Sequence, residues 1–372
     1  MTHHLPSRRS LLKGAGAAAL VAGPLAAAAP AAAAPSPAPS PSGSSPSPSR
    51  RGHVRSAAAG VRDKMTWWEA TTTAAPAATQ PGNTPLLAWR GNRNSRNITL
   101  ANVIGPPRQF AGSTLEKTIL ADASDYAPSF LPGVTSAYDA RLAWTGIDYG
   151  RAVKVADFAL TSGDWKLTGG MTQHGLVGYG QIGGTSGPDM SVLQRYRVNV
   201  VDQYGRVVLA QANGISFGET IPLPFFGTPR GPVRNIGLGW EGTVWMWTAS
   251  DGALSFAFTD SAVPATDTPV VVRSAQWAIC EPAAFTPFRD SVYIAWTGTD
   301  GAGHLNVAPV DLAAVKAGTD PIGAVYTLPE TSIAAPALVP QMDWDHGNHR
   351  LAVFWTGTDG SGALNACEVV LP

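Results

Sequence analysis

One eleven-residue stretch occurs twice in this chain. Residues 296–306 read Trp-Thr-Gly-Thr-Asp-Gly-Ala-Gly-His-Leu-Asn, and residues 355–365 read Trp-Thr-Gly-Thr-Asp-Gly-Ser-Gly-Ala-Leu-Asn. A short apolar run precedes each copy, and another begins within it. Because Asp and Gly tolerate the positive φ that tight turns need, each copy predicts a β-hairpin. A hairpin that recurs is the unit of a repeat fold, so the number of copies constrains the whole architecture.

Further copies lie upstream. Residues 141–150 and 244–258 contain clear copies, and residues 86–91 begin a fifth whose turn has changed to Asn-Arg-Asn-Ser. In the four clear copies an Asp follows the Trp by four residues. A sixth, weaker copy at 202–208 has a non-aromatic residue near Val198 in place of the tryptophan. The anchors recur at intervals of 49 to 59 residues and are Trp89, Trp144, Val198, Trp247, Trp296 and Trp355.

A proline upstream of most anchors is a second repeated feature. The pairs are Ala75-Pro76, Ala127-Pro128, Leu223-Pro224, Glu281-Pro282 and Ala335-Pro336. Proline is favoured at the start of a strand because it cannot donate a ladder hydrogen bond. Each unit then holds about four strands with the tryptophan on the third, for example 117–121, 128–131, 141–145 and 152–158. About 50 residues and four strands is the period of a propeller blade, so the sequence predicts an all-β fold, a six-bladed β-propeller of four-stranded blades.

This pattern resembles the sialidase-like propellers, whose repeated Asp box is a Ser-x-Asp-x-Gly-x-Thr-Trp turn. The turns at 250–252, 300–301 and 359–360 look analogous, although none matches the full box. The Trp-Thr-Gly-Thr-Asp-Gly unit resembles more closely a repeat of secreted actinobacterial propeller proteins. The resemblance covers nearly all of residues 64–372 and implies the fold rather than a chemistry. The arginine triad, Tyr/Glu nucleophile pair and Asp acid expected of a sialidase have no matching positions here.

The N-terminal segments predict export. Residues 7–13 read Ser-Arg-Arg-Ser-Leu-Leu-Lys, a twin-arginine pattern, and a weakly hydrophobic Ala/Gly run follows, so residues 1–34 are interpreted as a signal peptide. Residues 35–63 are Pro/Ser-rich and are expected to form a disordered linker. The propeller then occupies residues 64–372. We expect a secreted protein without stable membrane insertion, because the Ala-rich run is interrupted by proline and poor in large apolar residues.

Composition restricts the classes of binding partner that this chain can have. The chain has 26 basic and 26 acidic residues, and this zero net charge argues against nucleic-acid binding, which needs a basic field. No cofactor is expected and no metal site is predicted, because zinc motifs are missing and the Asp turns lack the spaced carboxylates of a calcium loop. We expect a monomer. Export makes a disulfide between Cys280 and Cys367 permissible, and two buried thiols are the alternative.

The repeated residues are interpreted as structural. A tryptophan at one fixed strand position in each unit suits packing between blades better than sugar stacking, because it buries a large apolar area with one donor to satisfy. The Asp of each turn is expected to bond the backbone amides of its own turn.

The variable loops are the predicted site. The resemblance places 133–139, 227–235, 286–290 and 341–350 on the face opposite the Asp turns, over the central axis. The last of these loops is the richest, with two carboxylates, two imidazoles and an aromatic ring. The candidate ligand-binding residues are Asp343, Trp344, Asp345, His346, His349, Arg289, Asp290 and Arg234.

Three functions stay open at this point. The leading hypothesis is a lectin-like propeller that recognises a glycan or polysaccharide, with Trp344 stacking on sugar and the polar side chains bonding hydroxyls. The second is a propeller glycoside hydrolase or polysaccharide lyase, because two carboxylates can cleave a glycosidic bond when correctly separated. The third is a cell-surface scaffold for protein interactions. A solvated polar hairpin is the alternative interpretation of the 341–350 loop itself.

Overall fold

The computed structural model confirms the predicted six-bladed β-propeller. Its described residues form six antiparallel four-stranded sheets arranged as blades in a ring. The described residues are 60–80, 84–92, 95–105, 109–131, 139–148, 150–161, 164–185, 197–213, 216–237, 242–260, 269–280, 286–288, 291–342 and 349–371. The predicted signal peptide at 1–34 and most of the predicted linker lie outside them.

Strand β1 (Gly60–Thr71) precedes the first blade in the chain. Blade 1 consists of β2 (Ala77–Thr79), β3 (Leu86–Arg90), β4 (Asn97–Ile104) and β5 (Thr114–Ala123). Blade 2 consists of β6 (Ser129–Leu131), β7 (Asp139–Thr145), β8 (Ala152–Thr161) and β9 (Asp164–Val177). Blade 3 consists of β10 (Gly183–Thr185), β11 (Arg197–Val201), β12 (Val207–Asn213) and β13 (Ser216–Pro222).

The second half of the ring repeats this order. Blade 4 consists of β14 (Arg234–Gly237), β15 (Thr243–Thr248), β16 (Ala253–Thr259) and β17 (Val270–Trp277). Blade 5 consists of β18 (Thr286–Phe288), β19 (Ser291–Thr297), β20 (His304–Val310) and β21 (Tyr326–Thr331). Blade 6 consists of β22 (Ala337–Met342), β23 (His349–Thr356), β24 (Ala363–Val370) and β1. Helix α1 (Leu312–Ala317) lies between β20 and β21.

The first strand of each blade lies innermost, at the axis. Neighbouring innermost strands contact each other in the pairs β2–β6, β6–β10, β10–β14, β18–β22 and β22–β2. Small residues permit this approach. A Cβ on Gly183, for example, would come within 2.2 Å of the Val233 carbonyl oxygen.

The ring closes through its two ends. Strand β1 is the outermost strand of blade 6 and pairs antiparallel with β24, with Gly60 opposite Val370 and Trp67 opposite Leu364. Residues 60–63, which the sequence placed in the linker, are therefore part of a blade. This pairing supplies the fourth strand that the last three strands of the chain need to complete their sheet.

The predicted blade boundaries were wrong by one strand. Segment 117–121 belongs to β5, which pairs with β4 and completes blade 1 rather than opening blade 2. The anchor tryptophans therefore lie on the second strand, and the Asp turns join the second and third strands. A circular repeat has no local marker of where a blade begins, so only the strand pairing fixes it.

Two smaller predictions also needed correction. The anchor position of blade 3 is occupied by Val200 rather than Val198, because Val201 and Val207 form the last pair before the turn, as Thr297 and Leu305 do in blade 5. The Leu223-Pro224 pair does not open an innermost strand. Pro224–Phe226 forms one turn of 3₁₀ helix, and Phe226 packs edge-on against Trp245 and Trp247.

The anchor tryptophans form the core between blades, as predicted. Trp144 is fully buried among residues of blades 1 and 2, and Trp355 packs with side chains of blades 5 and 6. Val200 is buried at the equivalent place in blade 3. One large apolar side chain per joint thus fills the space between adjacent sheets.

Four of the anchor tryptophans are each followed by a threonine that fastens its blade to the next. We call the segment between the last strand of one blade and the first strand of the next a linker, which is distinct from the predicted N-terminal linker at 35–63. The four buried hydroxyls each donate to a linker carbonyl, and we call this contact the threonine clamp. The donor–acceptor pairs are Thr145 to Gly180 (2.9 Å), Thr248 to Cys280 (2.9 Å), Thr297 to Ala334 (2.7 Å) and Thr356 to Ala74 (3.0 Å).

The same linkers are fastened to the following blade. The Ile279 amide donates to the Thr297 carbonyl at 3.1 Å, and the Ile333 amide donates to the Thr356 carbonyl at 3.3 Å. A linker thus accepts a hydrogen bond from the blade before it and donates one to the blade after it. Because buried backbone groups are costly to leave unbonded, these paired contacts fix the angle between blades.

The Asp turns bond their own backbone, which confirms the structural interpretation. The Asp300 carboxylate accepts hydrogen bonds from the amides of Gly303 (2.8 Å) and His304 (3.2 Å). Asp359 accepts from the Ser361 amide at 3.0 Å and from its hydroxyl at 2.6 Å, and the hydroxyl contact lowers the pKa of Asp359. Gly362 has a φ of 68°, and a Cβ there would lie 2.6 Å from the Thr72 carbonyl oxygen.

Replacing an anchor tryptophan should strongly destabilise the ring. We expect Trp355→Ala to lower the free energy of unfolding by about 3–5 kcal/mol, because it removes a fully buried indole from the joint of blades 5 and 6. Trp68→Ala is the matched control, since Trp68 is 64% exposed. Chemical denaturation measures both, and equal losses for the two variants would contradict the assignment.

Breaking a threonine clamp should cost less, but measurably. Thr248→Val keeps the side-chain shape and removes the donor to the buried Cys280 carbonyl, so we expect a loss of about 1–3 kcal/mol of unfolding free energy. Thr118→Val changes an exposed threonine of β5 in the same chemical way. Its effect should stay within about 0.5 kcal/mol. A Thr248→Val protein as stable as the control would show that the clamp does not hold the blades.

Candidate functional site

A cavity of about 410 Å³ lies on the axis of the propeller. Every linker contributes to its lining. The contributing residues include Thr73, Tyr126, Gln181, Arg230, Cys280 and Ala334, one from each linker in ring order. Because the six linkers occupy the six joints of the ring, a cavity that they line together must surround the axis. We call it the axial cavity.

The axial cavity opens on the face of the Asp turns. The linker amides bond carbonyl groups at the ends of the second strands, where those turns begin. In an antiparallel blade the first-to-second loops lie at the opposite strand ends. Three of the four predicted site loops, 133–139, 286–290 and 341–350, lie at the connection from the first to the second strand of a blade, so the strand ends that flank them are at the other face. The fourth, 227–235, covers the end of the linker into blade 4 and the start of β14, and its Arg230 lines the axial cavity. The sequence interpretation therefore missed the axial cavity as a site, although it included one segment of the lining.

Most of the predicted site residues lie outside the described residues: Asp343, Trp344, Asp345, His346, Arg289 and Asp290. His349 begins β23 and pairs with Met342, and its side chain is not among those described. Nothing in the structure therefore tests the 341–350 loop as a binding site.

Arg234 is the predicted site residue whose contacts can be followed. It lies on the innermost strand of blade 4, and its Nη1 donates to the Ser129 hydroxyl of blade 2 at 3.3 Å. Gln181 in the cavity lining donates to the same hydroxyl at 3.1 Å and to the Pro128 carbonyl at 3.2 Å. Arg234 is thus connected to the axial cavity through one serine.

One position of each linker is equivalent in the repeat, and we call the residue there the rim residue; all six except Ile279 line the cavity. In four linkers this residue donates its amide to the last residue of a second strand. In the other two linkers the rim residue lies two positions after the preceding strand, as Tyr179 and Ile333 do. The rim residues, in blade order from 1 to 6, are Thr73, Asp125, Tyr179, Arg230, Ile279 and Ile333.

The rim has a polar side and an apolar side. The rim residues of blades 1 to 4 are polar, whereas Ile279 and Ile333, of blades 5 and 6, are 41% and 48% exposed. Exposed large aliphatic side chains at a cavity mouth offer contact to the apolar face of a ligand. The arrangement suits a molecule that has both polar and apolar faces.

Arg90 replaces the threonine of the clamp in blade 1. It forms the last pair before the turn, opposite Ile98, and follows Trp89 where four of the other blades carry Trp-Thr. Its Nη2 donates to the Thr73 hydroxyl at 2.8 Å, and its Nε is buried without a hydrogen-bond partner among the described residues. Burial lowers the pKa of the Arg90 guanidinium from its ordinary value, and the nearby Asp125 carboxylate opposes this effect.

Arg230 brings a second guanidinium to the cavity. Its Nε donates to the Ser250 carbonyl at 2.9 Å, which holds the side chain over the turn of blade 4. The carboxylate of that turn, Asp251, pairs instead with Arg273. Asp125 is the one acidic residue of the described lining, and it pairs with Arg96 at 2.8 Å.

Two tyrosines of the lining are held by a single arginine. Arg151 donates from Nη1 to the Tyr126 hydroxyl at 2.9 Å, and its Cζ lies 5.0 Å from the centre of the Tyr179 ring. The contact with the ring is a cation–π interaction. Because Tyr126 accepts from Arg151, its own hydroxyl hydrogen can be donated to a ligand.

In the described part of the chain, no three or more His, Cys, Asp or Glu side chains converge as metal ligands would. No helix among the described residues is long and apolar enough to cross a membrane.

The cysteines are not joined by a disulfide in the structure. Cys280 lines the axial cavity, whereas Cys367 is buried in the core of blade 6. Burial raises the pKa of the Cys367 thiol well above its ordinary value, which makes it a poor nucleophile.

The similarity of this chain to known proteins is a similarity of fold. No protein-family model matches the sequence, and no curated protein matches it either. Several solved structures match. A protein of unknown function from Dyadobacter fermentans aligns with a TM-score of 0.57 and 12% identity, over 86% of this chain and 99% of its own. AofleA from Arthrobotrys oligospora aligns with a TM-score of 0.51 and 12% identity, over 80% and 84%.

A third match, the BP39L lectin from Burkholderia pseudomallei, has a TM-score of 0.49 and 16% identity, over 81% of this chain and 97% of its own. At such identities the likeness concerns the fold alone. By its fold the chain is a six-bladed β-propeller.

Thiol reactivity should separate the two cysteines. In the native protein we expect Ellman's reagent to titrate one thiol, Cys280, because it lines the cavity. The second thiol should react only after denaturation, since Cys367 is buried with a raised pKa. A Cys280→Ser variant should show no native reaction and one thiol when unfolded. Absence of thiols in the denatured wild-type protein would demonstrate a disulfide and contradict the structure.

Proposed function

We propose that this protein recognises carbohydrate as an exported, monomeric, lectin-like β-propeller. The observation that carries the proposal is the axial cavity, which combines tyrosine rings, an apolar rim segment and several groups that bond hydroxyls. Export rests on the twin-arginine pattern of residues 7–13.

The chemistry of the cavity suits a sugar. A pyranose presents apolar C–H faces and a girdle of hydroxyls, so its site needs flat or aliphatic surfaces beside fixed donors and acceptors. Tyr179 offers an exposed ring at the rim, and Ile333 offers aliphatic surface. Gln181 is held by its amide nitrogen, while its Oε1 is buried without a partner among the described residues and can accept from a hydroxyl.

The fixed position of these groups supports binding. The linkers that carry them are hydrogen-bonded to the blades on both sides, and Arg151 holds both tyrosine side chains. A ligand therefore loses less affinity to the ordering of the site than it would in a mobile loop.

The described cavity favours binding over cleavage. Glycosidic cleavage by paired carboxylates needs two of them within about 5–10 Å of each other. The described lining supplies Asp125, which is engaged with Arg96. The carboxylates of the 341–350 loop, which lie outside the described residues, keep the hydrolase or lyase as a hypothesis for that loop.

A glycan array probed with the full chain tests the proposal. We expect retention of at least one glycan family, and mass spectrometry should show the glycan intact. Tyr179→Ala should reduce affinity for that glycan about tenfold, because it removes a stacking surface worth about 0.5–1.5 kcal/mol and the partner that holds Arg151.

Two controls locate the site. Tyr204→Ala removes another exposed tyrosine that lies against an arginine, Arg206, but does not line the cavity, so affinity should not change. Trp344→Ala probes the 341–350 loop predicted from the sequence. Loss of binding in Trp344→Ala with retention in Tyr179→Ala would move the site to that loop. Cleaved product would make the protein an enzyme, and an array without any binder would contradict carbohydrate recognition.

A further inference from the structure

The axial cavity carries more positive charge than its own acids neutralise. Arg90 and Arg230 both line it, and Arg151 lies directly behind its two tyrosines. Asp125 is the acidic residue of the described lining, and its carboxylate pairs with Arg96. Neither Arg90 nor Arg230 makes an ion pair with a described carboxylate; each instead donates to a neutral oxygen.

These two guanidinium groups come from opposite sides of the ring. Arg90 ends the second strand of blade 1, and Arg230 lies in the linker that enters blade 4. In a six-membered ring, blades 1 and 4 face each other across the axis. A ligand seated in the axial cavity is therefore approached by a guanidinium from each side.

Two guanidinium groups that face one cavity are unfavourable in free energy unless an anion pairs with them. Removing a cation from water is unfavourable unless it is paired and hydrogen-bonded, and Arg90 keeps a buried Nε without a partner among the described residues. The guanidinium stays charged, because arginine does not lose its proton in proteins. Its planar fork matches the two oxygens of a carboxylate, and such charge-assisted bonds are about twice as strong as neutral ones.

The repeat shows that Arg90 is not required by the fold. Four blades carry threonine at its position and use it to clamp the next linker. Blade 1 lacks that clamp, and the guanidinium of Arg90 lines the cavity instead.

We propose that the axial cavity binds an acidic saccharide, a sugar or oligosaccharide that carries carboxylates. Arg90 and Arg230 hold the carboxylates from opposite sides of the axis, and the Tyr126 hydroxyl and Gln181 Oε1 bond sugar hydroxyls. Ile333, on the apolar side of the rim, contacts a C–H face. This inference rests on the proposed carbohydrate function and gives it a substrate class.

Matched pairs of oligosaccharides test the charge requirement. The full-length protein is titrated calorimetrically with tetrasaccharides of glucuronate, galacturonate, mannuronate and guluronate, each beside its carboxyl-methyl ester, which has the same sugar and no charge. We expect at least one free acid to bind at least tenfold more tightly than its ester. Its affinity should fall as salt is raised from 50 to 500 mM, since guanidinium–carboxylate attraction is screened.

Arginine variants assign the contact. Arg230→Gln should lower the affinity for the acid about tenfold or more and leave the weaker affinity for the ester unchanged. Arg230 is exposed, so this variant should fold normally. Arg90→Gln should have the same selective effect, and its thermal unfolding is checked because Arg90 lies deeper. Arg206→Gln is the control, because Arg206 forms a surface pair with Asp202 away from the cavity.

The outcomes separate this inference from the function on which it rests. Equal binding of acid and ester overturns the charge requirement and leaves carbohydrate recognition in place. If neutral glycans on the array bind and none of the four acids binds, the charge requirement is likewise overturned and carbohydrate recognition stays in place. Selective binding of acids that survives both Arg230→Gln and Arg90→Gln overturns the assignment to the axial cavity. If neither the array nor the acids bind, both the inference and the proposed function are wrong.

Discussion

The buried hydrogen bond between a threonine hydroxyl and a linker carbonyl is the contact on which this propeller depends. A blade is a small sheet whose two faces are largely apolar, so burial alone would let it slide or tilt against its neighbours. The clamp is a directional hydrogen bond, so it fixes the orientation of one blade relative to the next. Thr248, for example, fixes the linker at Cys280, and the amide of Ile279 in that linker fixes the next blade through Thr297.

The same contact gives the molecule its site. Four of the six linkers are held at a set height at the axis by a clamp, and residues of all six linkers line the axial cavity. The fold constrains the backbone and leaves the side chain variable, which is why the rim runs from Thr73 and Asp125 to Ile279 and Ile333 without disturbing the blades. Departures from the repeat at such positions are the natural carriers of specificity.

Much of the fold follows from the sequence, and particular contacts explain what does not. The Trp-Thr-Gly-Thr-Asp-Gly unit specifies a hairpin, and its recurrence specifies the number of blades. The blade boundaries depend on the pairing of β1 with β24, between the two ends of the domain, which no local pattern encodes. Val200 was missed because a valine gives no anchor signal of its own.

The axial cavity was not predicted as a site, although the predicted loop 227–235 contributes to it, because its lining is distributed over six linkers that each contribute between one and four residues. A loop that holds several carboxylate, imidazole and aromatic side chains in succession, such as 341–350, is recognisable in a sequence. A site whose residues come singly from separate repeats is not. A signal was nevertheless present. Trp89 is followed by Arg90 where four other copies read Trp-Thr, and this departure from the repeat marks the cavity better than the composition of any loop.

The central claim is that Arg90 serves the ligand and not the fold. The most direct measurement is the Arg90→Thr variant, which restores the repeat residue and offers a clamp donor to the Tyr126 carbonyl, the corresponding acceptor in the next linker. The account predicts that the free energy of unfolding stays the same or rises, while affinity for the bound glycan falls about tenfold. A less stable protein that binds as tightly as the wild type would contradict it, because Arg90 would then be part of the scaffold.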